Sequence, residues 1–214
     1  MNRPPANLAQ LAPNELQALE SMRLLFKNEP YPDQQDPNSW FQLEDWTYLR
    51  YLRARKFDVP KAELMLKNTL EMRRKYSPHL MSENDPVMRK ILIKSRGFAP
   101  PTKQHLAVQF TEAGKLDLSL IETDDEFYRY LVLLSELSIR DLHHRSGPRS
   151  TGAAVVDFQH FSLIKSSTPK AIRFSKMLVS VGEMHFPEML GRVVMFQRSL
   201  YLPRDVQAHQ ATHG

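Results

Sequence analysis

Apolar residues first recur at helical spacing in the segment ELQALESMRLLF, where Leu16, Leu19, Met22 (or Arg23) and Phe26 share a face behind Asn14, a candidate N-cap. The residues before it, with Pro4, Pro5 and Pro13, read as a leader over 1–13, and the Pro30, Pro32 and Pro37 stretch after it reads as a loop. In LEDWTYLRYLRARKF, Trp46, Leu49 and Leu52 fall on one side, while Arg50, Arg53, Arg55 and Lys56 fall largely off it. Asp58 then caps a second helix with Pro60 in its first turn and Ala62, Met65, Leu66, Thr69, Met72 and Tyr76 as its buried stripe. The very short connection predicts a helical hairpin.

A further helix around Val87 to Lys94 gives way to a loop marked by Gly97, Pro100 and Pro101. Past that loop the period changes. HLAVQF alternates Leu106, Val108 and Phe110 against Ala107 and Gln109, as in a half-buried strand. ETDDEFYRYLVLLSELSIRDLHH, capped by Thr123 or Asp124, has acids in its first turn and basic or His residues in its last, matching the helix dipole. GAAVVDFQHF is short and apolar enough for a strand buried on both faces. Thr168 and Pro169 open a helix whose expected buried side carries Ile172, Ser175, Leu178 or Val179, and Gly182. Gly191 leads into Val193, Val194, Met195 and Phe196, read as an interior strand. Strand, helix, strand, helix, strand from residue 106 onward predicts crossover connections and a mainly parallel sheet.

Composition narrows the function classes. The 214 residues are 42% hydrophobic and 25% charged, enough to bury a core. Cysteine is absent, which removes disulfides, thiolate metal sites and Cys nucleophiles and suits a reducing, cytoplasmic setting. No window has the apolar length of a bilayer-spanning helix, and the N-terminus lacks an apolar targeting core. Lys and Arg number 29 against 24 Asp and Glu, a formal net charge of +5, so an anionic surface is a candidate partner. GxSxG, HExxH, P-loop and GxGxxG patterns do not occur, so the chain is not expected to be an enzyme and no cofactor is expected.

The segment LRYLRARKFDVPKAELMLKNTLEMRRKY, residues 49–76, resembles the N-terminal helical signature of the CRAL-TRIO family of lipid-binding and lipid-transfer proteins. DEFYRYLVLLSELSIRDL, AAVVDFQHFSL and HFPEMLGRVVMF keep that family's order, so the resemblance runs from about Asn14 to Phe196. It implies an α/β protein: a helical subdomain over 14–80, then a partial CRAL-TRIO domain over 81–197 with a mainly parallel sheet flanked by helices. It also implies a hydrophobic ligand, such as phosphatidylinositol or a retinoid- or tocopherol-like molecule, held over the sheet and exchanged with membranes. The chain departs from the family at PPTKQH, at Met72 and, most of all, over 198–214. QRSLYLPRDVQAHQATHG has neither the expected Asn, Pro and aromatic residues nor the amphipathic helix that gates the pocket, so the domain reads as C-terminally truncated. A truncated, ligand-free interaction module is the alternative function.

Candidate ligand contacts are Phe110, Val156 and Phe158 on the strands, where an apolar tail gains on the order of 0.8 kcal/mol per CH2 removed from water. The resemblance adds Glu188 as a headgroup contact, beside Met189 where an Arg would help bind phosphate, and Ser162 can hydrogen-bond a headgroup. Arg50, Arg53, Arg55 and Lys56 are the candidate membrane- or anion-facing set; with Arg73, Arg74 and Lys75 they otherwise form a solvated face paired with Glu44, Glu63 and Glu71. Asp157, ending a strand, is expected to hydrogen-bond the following loop. His143 and His144 beside Asp141, and His209 with His213, do not make metal sites: the first two point apart and the others lie in an aperiodic tail. A monomer meeting a membrane surface transiently, with no nucleic-acid partner, is expected, because the basic residues lack interleaved aromatics.

Overall fold

A computed structural model describes residues 11–36, 39–82, 84–91, 96–99, 108–112, 117–146, 151–159 and 168–196. Helix α1 (Pro13–Leu25) begins one residue before Asn14: Pro13 occupies the first turn, and the Glu15 carboxylate accepts the Ala12 N–H at 3.0 Å. Asn14 therefore lies inside the helix and caps nothing. A 3-10 turn (Pro32–Gln35) precedes α2 (Asp45–Ala54) and α3 (Val59–Tyr76), the expected hairpin. Asp58 caps α3 by accepting the Lys61 N–H at 3.1 Å. The turn between them holds Lys56 and Phe57 in the left-handed region, with φ of 52° and 62°.

Ser77 ends α3 with φ 47° and ψ 52° while its N–H bonds the Arg73 carbonyl at 2.9 Å. A non-glycine residue there is strained. Ser77→Gly is expected to stabilise the protein by about 0.5–1 kcal/mol and Ser77→Val to destabilise it, read as opposite shifts in thermal midpoint.

A second 3-10 turn (Pro78–Leu80) leads to α4 (Pro86–Ile91), then β1 (Arg96–Ala99), β2 (Val108–Glu112), a third 3-10 turn (Leu118–Leu120), α5 (Asp124–Ser146), β3 (Gly152–Asp157), α6 (Pro169–His185) and β4 (Leu190–Phe196). Thr123 and Thr168 cap α5 and α6, accepting the N–H groups of Glu126 and Ala171 at 3.1 and 3.2 Å. β1 falls where the Gly97 and Pro100 signals predict only loop: pairing with β2, not local propensity, makes it a strand.

The sheet order is β1-β2-β3-β4, with β1 antiparallel and the other pairs parallel, as the alternation of elements predicts. Among the described residues β4 is an outer strand rather than an interior one. β3 is half-buried apart from Asp157, not covered on both faces. Gly191 allows β4 to pass Thr151, whose Oγ1 would stand 2.7 Å from any added Cβ.

The core is helical. One apolar cluster gathers Leu19 and Met22 of α1, Leu49 and Leu52 of α2, Leu66 and Leu70 of α3, Leu133 of α5 and Phe174 of α6, and no strand residue joins it among the described residues. Leu16, expected in the α1 stripe, is exposed, and Ala18 takes its place. On α6 the buried residues are Ala171, Phe174, Val181 and His185, while Ile172, Ser175, Leu178 and Val179 face solvent. This helix is apolar around more than half its circumference, so periodicity alone does not choose the docked side. The Phe174 ring, 4.0 Å centroid to centroid from Phe127 of α5, does.

Candidate functional site

Strand register decides which candidate residues can act together. Cα partners across β2, β3 and β4 place Phe110 opposite Val155 and Val155 opposite Val194, whereas Val156 pairs with Thr111 and Met195. Side chains alternate along a strand, so Phe110, Val155 and Val194 share one face and Ala154, Val156, Val193 and Met195 the other. Phe110 is thus separated from Val156 by the sheet itself and does not line a common pocket with it. Phe158 lies one residue past the end of β3, where strand alternation no longer assigns a face.

Both faces are open along β4: Val193 is 46% and Met195 67% exposed on the second and Val194 50% on the first, which also carries the buried residues Val108 and Asp157. Asp157 accepts the Gln159 N–H at 2.8 Å, the loop-fixing role expected of it. Ser162, residues 1–10 of the leader, His209, His213 and the segment 198–214 lie outside the described residues, as does the side chain of His144. His143 packs its ring 6.2 Å from Trp46, and no group of three or more His, Asp or Glu among the described residues is placed to hold a metal ion.

Glu188 stands at the corner between α6 and β4 with φ 58°. Its carbonyl accepts a hydrogen bond from Arg50 Nη1 at 3.1 Å, and the same nitrogen meets Met189 Sδ. Arg50 therefore does not belong to a membrane-facing set. It is buried, its guanidinium 5.0 Å from the Trp46 ring centroid, and burial pulls its pKa down to about 10. The reason is that α2 is enclosed on every side: residues 46–52 are all buried, so the polar positions off the Trp46, Leu49 and Leu52 face are internal too.

Arg53 and Arg55 are half-buried and Lys56 is exposed. Among the described residues no carboxylate pairs with any of the three, whereas Arg23, Lys61, Lys67, Arg74 and Lys75 each hold one. The turn after α2 is consequently a patch of uncompensated positive charge.

Arg73, also expected on the solvated face, is wholly buried between Asp33 and Glu136. Its Nε reaches Asp33 Oδ1 at 2.8 Å and its Nη1 reaches Glu136 Oε2 at 3.0 Å, with the Phe41 ring 4.4 Å from Cζ. Burial opposes the charge, but attraction to Glu136 and the hydrogen bond to Asp33 outweigh it and raise the pKa above the usual guanidinium value. The sequence signal for this ion triad was present only as three unremarkable residues 40 and 63 positions apart.

The corner also depends on His185, the last residue of α6, which sequence reasoning missed. Thr69 of α3 meets its Nδ1 at 3.2 Å and Tyr128 of α5 meets its Nε2 at 2.6 Å, while Tyr51 of α2 donates to its carbonyl at 3.1 Å. Three helices thus converge on the start of the crossover into β4.

The CRAL/TRIO N-terminal domain profile matches residues 16–68 and the CRAL/TRIO domain profile residues 98–201. SEC14 cytosolic factor of Yarrowia lipolytica is 26% identical over 202 residues, covering 88% of this chain and 38% of its own length. A CRAL-TRIO domain-containing protein of Saccharomyces cerevisiae is 25% identical over 208 residues, covering 89% of this chain and 64% of its own. The chain therefore spans 38–64% of the length of these relatives. The crystal structure of Sfh5 superposes with a TM-score of 0.63 at 18% identity, over 86% of this chain and 70% of that one.

Proposed function

Because the chain belongs to the CRAL-TRIO family, we propose that it binds a lipid non-enzymatically, with the acyl tail on the sheet face formed by Val156, Val193 and Met195 and reaching Phe158 just past the end of β3, and exchanges it at membrane surfaces. The observation that carries this reading is the exposed apolar face: Val193 and Met195 stand in solvent in a protein whose helices pack chiefly on one another. Exposed apolar area of this kind on a sheet is a binding surface by default. A tail laid across it gains on the order of 0.8 kcal/mol per CH2.

Headgroup recognition falls to Glu188, held in the left-handed region at the corner. Docking falls to Arg53, Arg55 and Lys56, whose charges are uncompensated. No helix among the described residues is long and apolar enough to cross a membrane.

Native mass spectrometry of the chain purified from cells tests the reading. Stoichiometric phospholipid is expected with the wild type and loss of it with Val193→Asp and Met195→Asp together, which place carboxylates on the tail-binding face. A wild-type protein that carries no lipid, where a full-length relative prepared alongside does, would sink it.

A further inference from the structure

We propose that the corner at His185 is a proton-operated latch: protonation of this imidazole releases the end of α6 and the start of β4 from the N-terminal helices. The inference is independent of which ligand the sheet carries.

The hydrogen bonds define the closed state. Thr69 Oγ1 has one proton, which goes to the Met65 or Met184 carbonyl, 3.2 and 3.3 Å away. The hydroxyl oxygen is then free to accept from Nδ1–H, and Nε2 accepts from the Tyr128 hydroxyl. Every group is satisfied only when the imidazole is neutral. The imidazolium has two N–H donors and would turn Tyr128 from donor to acceptor, breaking the present hydrogen bond.

No ion pair holds the imidazolium among the described residues. The titratable and charged groups at the corner are Tyr51 and Arg50 from α2, Arg73 from α3, Tyr128 from α5, behind which lie Tyr76, Lys75 and Asp125, and Glu188 at the corner itself, which acts on Arg50. Glu183 on α6 itself is exposed. Among the described residues no carboxylate hydrogen-bonds or ion-pairs with the ring, and Arg50 and Arg73, which act on the adjoining Tyr51, are cationic. Burial accordingly lowers the His185 pKa to about 4.

The folded value lies below the ordinary value near 6.5, so the closed state is favoured above that pH and loses its advantage as pH falls toward 4. Opening restores the ordinary value. Between about pH 7.5 and about pH 5 the ratio of open to closed corner should therefore rise roughly 25-fold, provided the ring is solvated once open.

Hydrogen exchange of the lipid-free chain, corrected for intrinsic rates, reads this directly. The expected result is a protection loss over Phe186–Phe196 of that order at the lower pH, with α1 and the Leu66–Leu70 part of α3 little changed. His185→Gln, neutral at both pH values, should abolish the extra pH dependence, while His143→Gln and His79→Gln should retain it. Should His185→Gln not fold, NMR titration of the wild-type imidazole decides: an apparent pKa well below 6, tracking the exchange of β4 amides, supports the latch. Titration near 6.5, or protection over Phe186–Phe196 that does not change with pH, overturns it.

Discussion

Replacing Arg73 by Met is expected to lower the unfolding free energy by about 3–5 kcal/mol, the usual result of removing one partner from a buried ion pair. The methionine keeps most of the side-chain volume over Phe41, so lost packing contributes little. What remains is two buried carboxylates, Asp33 and Glu136, with no guanidinium between them. Arg140 stands 3.8 Å from Glu136 but is partly exposed, and His79 is 3.7 Å from Asp33. Neither replaces five fixed N–H donors.

The same physics predicts that the destabilisation belongs to the stranded charge rather than to the triad's net contribution. Arg73→Met combined with Asp33→Leu and Glu136→Leu should recover most of the loss, because apolar replacement of a whole buried ion cluster is often close to neutral. Urea denaturation monitored by tryptophan fluorescence measures both. A single variant within about 1 kcal/mol of the wild type would show that the triad is not closed to water.

The second large effect concerns docking. Neutralising the patch with Arg53→Gln, Arg55→Gln and Lys56→Gln together should weaken binding to phosphatidylserine-containing vesicles by about 3 kcal/mol, or roughly a hundredfold, at about 1 kcal/mol per basic residue near an anionic surface. Stability should barely change, since none of the three holds a carboxylate. Binding should also fall as salt rises, because the Debye length shrinks to about 8 Å at physiological ionic strength. Arg50→Gln is expected to do the opposite: it removes the donor to the Glu188 carbonyl and so lowers stability, with little direct effect on vesicle binding. Co-sedimentation with anionic and with neutral phosphatidylcholine vesicles, beside thermal melts, distinguishes the two. Undiminished sedimentation of the triple variant would remove the patch from the docking reading.

Much of the fold was legible in the chain because its signals are local. The Asp58 and Thr168 caps, the hairpin of α2 and α3, and the parallel pairing of β2, β3 and β4 follow from residue types at short spacings and from the order of elements. The family signature over 49–76 is equally contiguous, which is why it was recognisable without a structure.

The candidate site was less legible. Its membership depends on which side of an element faces what. Phe110 and Val156 are both apolar strand residues, and only strand register shows that they occupy opposite faces. Arg50 and Arg73 look like members of one basic face of a helical hairpin. The first lies under the Glu188 corner and the second between two acids from other elements.

The sequence by itself determined that this protein is an α/β member of the CRAL-TRIO family, with its helices, caps and mainly parallel strands, because spacing and order fix those features within a few residues. Only the tertiary structure decided which cations are buried and which are exposed, that α6 docks through Phe174 and leaves its Ile172, Leu178 and Val179 side in water, and that His185 joins three helices at the entrance to β4. Those outcomes depend on contacts between residues tens to more than a hundred positions apart. Burial and pairing there, rather than any property of the residue alone, set the energy of a charge or an apolar side chain.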